Sequence, residues 1–149
     1  MSSTTALTLA DHHSIADHAR TTAALCLRAQ VQVSEASDDH QALAAALMDV
    51  SEGAALLARF LDRSSAHADV VGEVVRALLA ASKDALAHAT DADGTCRAAY
   101  AAVVQLDTFC AVLTGDESPD LLQADTDAQD TALKETFPAS DAAASPTNL

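Results

Sequence analysis

Among its 149 residues the chain has no Trp, one Tyr, three Phe, four Gly and three Pro. That scarcity of aromatic and turn-forming residues argues against sheet, and the dominance of Ala, the strongest helix former, argues for helices. Positive charge is equally scarce. Eight Lys and Arg against 22 Asp and Glu leave a formal charge of -14, which repels phosphate backbones and anionic lipid alike and excludes nucleic acid and membrane surfaces as expected partners. The segment Met1 to Leu9 has neither a basic stretch nor a sustained apolar run. No uninterrupted apolar run approaches about 18 residues, so the expected address is a bacterial-type cytoplasm rather than export or a membrane. The three cysteines are an odd number; with no secretory signal they read as reduced thiols, not as a disulfide framework.

What the sequence does contain is helical periodicity. Apolar or small residues recur at alternating steps of three and four in four segments, the spacing that keeps side chains on one helical face. The first carries Ile15, Ala19, Thr22, Cys26, Ala29 and Val33 and starts near Thr8 or Asp11. The second carries Leu43, Leu47, Val50, Ala54, Leu57 and Leu61, and the third Val75, Leu79, Ser82 and Leu86, with Ser64 or Ser65 as cap. The fourth carries Cys96, Ala99, Val103, Leu106, Cys110 and Leu113 and stops at Gly115, a residue suited to a helix C-terminus. The links near 36–39, 63–66 and 89–93 are short, and short links make consecutive helices antiparallel neighbours. The expected fold is all-α: an N-terminal arm (1–10), an antiparallel up-down-up-down four-helix bundle (11–115) and an acidic, largely disordered C-terminal tail (116–149).

No catalytic arrangement accompanies this pattern, and no enzyme is expected. There is no Gly-x-Ser-x-Gly, no phosphate-cradling glycine loop and no inward carboxylate pair. The Glu-x-x-His motif of di-iron bundles is absent too, because the residues three beyond the glutamates are Asp38, Ala55, Arg76, Asp120 and Pro138. Asp11, His12, His13 and Asp17 could form at most a weak surface site for a divalent ion, and His88 reads as a favourable cation near a helix C-terminus.

The chemistry-bearing residues are Cys26, Cys96 and Cys110, all at inward positions, where a thiol is either a small core hydrophobe or a soft metal ligand. Cys96 and Cys110 stand about 21 Å apart along one helix and cannot share an ion. With the first and fourth helices centred at one height, Cys26 falls level with residue 102, about 9 Å from Cys96 and about 12 Å from Cys110 along the axis.

The run from Cys96 to Cys110 resembles the last helix of the bacterial four-helix-bundle copper-storage proteins, with cysteine kept at the first and last positions. Ser64-Ser65-Ala66-His67-Ala68, the Asp38-Asp39 link and Leu47-Met48-Asp49 are similar to segments of the same family. The likeness covers roughly residues 14 to 114. It implies that Ala99, Val103 and Leu106, and Gly72, Val75, Leu79, Ser82 and Leu86, stand where the family carries Cu(I)-binding cysteines. The resemblance therefore implies a non-catalytic bundle whose metal candidates are Cys26, Cys96 and Cys110. No resident cofactor is expected, and few Cu(I) ions or none.

The alternative is a protein acting without metal, through its acidic surface and its tail, on a protein partner or on further copies of the chain. Residues 116–130 carry six acidic groups and almost no apolar anchor. Beyond them, Glu135-Thr136-Phe137-Pro138-Ala139-Ser140-Asp141 resembles a short C-terminal signature, Glu-Ser-Phe-Pro-Ala-Ser-Asp-Pro-Pro, that ends many small bacterial proteins. Leu133 and Phe137 stand four apart with Pro138 after them, which makes a small apolar docking element of these three residues.

Overall fold

A computed structural model of the chain describes residues 7–36, 41–89 and 94–122. It contains four helices: α1 (Leu9–Ala36), α2 (Gln41–Asp62), α3 (Ala68–Ala89) and α4 (Gly94–Leu113). No strand occurs among the described residues. Each helix packs against two others in the cycle α1, α2, α3, α4, so the chain forms the expected antiparallel up-down-up-down bundle.

Local chemistry sets the helix ends. At the start of α1 the Asp11 N–H donates to Thr8 Oγ1 at 3.1 Å and the Thr8 N–H donates to the Asp11 carboxylate at 2.9 Å, a reciprocal cap. Helix α2 ends in a Schellman turn. The Ser65 N–H donates to Phe60 O at 2.9 Å, the Ser64 N–H to Leu61 O at 3.0 Å, and Ser64 sits in the left-handed region with φ 54°. The His67 N–H then donates to Ser65 Oγ at 3.1 Å as the chain turns into α3. Helix α4 closes in the same way, with Gly115 at φ 86° and the Asp116 N–H donating to Ala111 O at 2.8 Å.

The interior follows the three-four pattern. Every inward position expected on the four helices is buried except Leu113, which is partly exposed. Three hydroxyls enter the core and all are satisfied by backbone carbonyls: Thr22 by His18 O (2.8 Å), Ser51 by Ala23 O (2.9 Å) and Ser82 by Leu79 O (3.0 Å). By length and composition alone, Gln41–Asp62 and Gly94–Leu113 could each cross a membrane. In the bundle, 44% of each apolar window is buried, and the core helix of a bundle passes the same test.

Beyond Gly115 the structure differs from expectation. Residues 116–122 cross the end of the bundle: Asp116 pairs with Arg76 of α3, and Leu122 is 3% exposed within the hydrophobic core. The expectation that 116–130 lack an apolar anchor overlooks Leu121 and Leu122, a short apolar pair inside an acidic stretch that periodicity does not reveal. Leu133, Phe137 and Pro138 lie outside the described residues.

Candidate functional site

Cys26 enters the core from α1, and Cys96 and Cys110 enter from the two ends of α4. All three are buried and none forms a disulfide. Three observations bear on the register of α1 against α4. Thr22 Oγ1 donates to Ala102 O at 3.4 Å, the His18 ring stands edge-on to Phe109 with centroids 4.3 Å apart, and His12 lines one groove with Val112 and Leu113. Thr22 opposite Ala102 puts residue 26 level with about residue 98, and His18 on Phe109 puts it level with about residue 101, within about one turn of the height expected. Along the axis Cys26 is therefore about 3–8 Å from Cys96 and about 14–18 Å from Cys110. Helix α1 has 28 residues and α4 has 20, and the C-terminal end of α1 overhangs the start of α4. Cys26 is nearer to Cys96 than to Cys110, the order that equal centring predicts.

Burial dominates the chemistry of two of these thiols. Burial pushes the Cys26 thiol up from 9.0 to about 12. Burial, with a smaller push from Asp107 partly offset by Arg76, also takes Cys110 to about 12. Both are neutral thiols near pH 7, whereas the thiolate is the metal ligand and the nucleophile. The eight positions that the copper-storage resemblance equates with cysteines are all buried and hold Ala, Val, Leu, Gly or Ser. At one of them, Gly72, an added Cβ would lie 2.9 Å from Leu113 Cδ2, so the tip of that leucine would have to move aside.

The remaining candidates are dispersed. Among the described residues, no group of three or more His, Cys, Asp and Glu side chains could hold a metal ion. Asp11 is engaged in the α1 cap and Asp17 pairs with Arg20, so both carboxylates of the surface set with His12 and His13 have other partners. His88 Nδ1 lies 2.7 Å from Asp84 O on its own helix, and His40 lies outside the described residues.

At the end of the bundle where α1 begins and α4 finishes lies an open groove of about 480 Å³. Apolar groups, including Leu7, Ala66, Val112 and Pro119, line it, and Asp69 and Glu117 also border it. Periodicity could not find this groove, because the α2–α3 link and the chain after Gly115 build it. Fold and interior together define the class as an antiparallel four-helix bundle with a hydrocarbon core. No protein-family model matches the chain, and comparison with curated proteins and with solved structures finds no match.

Proposed function

We propose that the protein is a non-catalytic, cytoplasmic bundle of the copper-storage type whose interior has changed from thiolate to hydrocarbon, so that it holds at most one Cu(I). The observation that carries this reading is the composition of the buried face. Thiols occupy three positions, Cys26 and Cys110 are held neutral by burial, and Cys26 is nearer in height to Cys96 than to Cys110. Cu(I) is selected by soft sulfur ligands, and tight binding of one ion needs two that converge. Cys26 with Cys96 is the pair of cysteines nearest in height, and Cys110 acts as a small core residue. Binding there must drive deprotonation of at least one buried thiol, which weakens affinity as pH falls.

Anaerobic Cu(I) titration against a competing chelator tests the reading. The expected result is no more than one tight equivalent, lost in Cys26→Ala or Cys96→Ala and kept in Cys110→Ala. Several tight equivalents, or one that survives Cys26→Ala with Cys96→Ala, overturns it.

A second reading, a protein that meets a partner or another copy of itself, is favoured by apolar side chains left outside the core. Val70 and Val74, 57% and 56% exposed, stand four apart on α3, and Leu27 and Val31 do so on α1. Under this reading the acidic surface and the segment of Leu133, Phe137 and Pro138 contribute to recognition. Complete absence of Cu(I) binding leaves this reading in place.

A further inference from the structure

We propose that the groove at the α1-start, α4-finish end of the bundle is the docking site for the chain's own C-terminal segment, with Leu133 and Phe137 as its two anchors. The inference is independent of copper, and it bears on partner recognition because a docked segment is withheld from other proteins.

The path of the chain is the first argument. After Gly115 it turns back across the end of the bundle, held by Asp116 on Arg76 and by the buried Leu122. Pro119 and Glu117 of this crossing segment themselves form part of the groove lining. The last described residue, Leu122, is three positions beyond Pro119 of this lining. Eleven residue steps from Leu122 to Leu133 span at most about 36–40 Å, and the end face of two helices side by side is about 20 Å across, so the anchors reach every part of the groove. A contact within one chain has an effective concentration in the millimolar range, so two apolar side chains suffice where free peptides would not bind.

Composition is the second argument. Between Leu122 and the terminal Leu149, Leu133 and Phe137 are the only large apolar residues, and a helical turn would put them on one face. The groove offers Leu7, Ala66 and Val112 as apolar contacts. Asp69 and Glu117 border it, and Lys134 is the only cation after Leu122. Lys134 between the two anchors matches that acidic border, whereas residues 123–130 carry only negative charge and are repelled by it.

The full-length chain carries no Trp, so Phe137→Trp supplies a single reporter. The expected result is blue-shifted indole emission, independent of protein concentration, with acrylamide quenching severalfold weaker than in urea. Ala66→Glu, at an exposed position of the groove wall, should shift the emission to that of a solvated indole while helical content is unchanged. Leu133→Ala should do the same without altering the bundle at all. Solvated emission in the parent Phe137→Trp protein overturns the proposal, as does emission that ignores both second substitutions. A blue shift that disappears on dilution also overturns it and assigns the groove to a second copy.

Discussion

A cysteine among hydrocarbons couples stability to pH, and the sign follows from its two protonation equilibria. In the unfolded chain the Cys26 and Cys110 thiols titrate near 9.0, and in the folded protein near 12. Below the lower value both states hold the proton and stability does not depend on these groups. Between the two values the unfolded state releases protons that the folded state keeps, so stability falls as pH rises, by up to about 1.4 kcal/mol per pH unit for each thiol. Urea unfolding between about pH 8 and 11 should therefore show a descending arm that is shallower in the Cys26→Ala, Cys110→Ala double variant. The two proteins share every other titratable group, so the comparison isolates the thiols. Curves that run parallel throughout would mean that the two thiols ionise as readily in the fold as outside it.

At the scale of the element, α2 and α4 end in the same Schellman geometry with different residues in the left-handed position. Gly115 adopts φ 86° at no steric cost, whereas Ser64 adopts φ 54° with a Cβ that crowds its own carbonyl. Ser64→Gly should stabilise the protein by about 0.5–1 kcal/mol, and Gly115→Ala should destabilise it by about 1–2 kcal/mol. A Cβ added at Gly115 meets nothing within 4 Å, so a loss there reports backbone conformation alone. Chemical denaturation of the two variants checks the pair, and a shift of the same sign in both would refute the argument. The helices themselves were legible in the sequence because each buries one stripe, and periodicity reports a stripe directly. It fails where a helix is covered on more than one side. In the last turns of α4, Phe109, Cys110, Ala111 and Val112 are all buried, because His18 stands on Phe109 and the chain beyond Gly115 folds over this end. Phe109, the largest fully buried side chain, is thus invisible to a rule that expects a polar neighbour beside Cys110. The height of Cys26 is legible only to about a turn for a related reason: register is set by contacts between α1 and α4, and no pattern within either helix encodes it.

For the whole molecule, the boundary of the folded unit lies beyond the point where periodicity ends. Gly115 terminates α4, yet the described chain continues to Leu122, which is as buried as the bundle's own leucines. Burying a Leu side chain contributes about 1.5–3 kcal/mol. The Arg76 and Asp116 pair adds little, because Asp116 is 64% exposed and exposed ion pairs contribute about 0–1 kcal/mol. Truncation after Gly115 should therefore cost about 2–3 kcal/mol and lower the melting temperature by roughly 10 °C. Truncation after Leu122 keeps both contacts and should change it by no more than a few degrees. Leu122→Ala in the full chain separates the side chain from the backbone that carries it, and should reproduce most of the larger loss. Thermal unfolding of the three proteins decides the matter. Equal melting after truncation at 115 and at 122 would place the boundary at Gly115, and the crossing segment would then be an appendage rather than the final piece of the core.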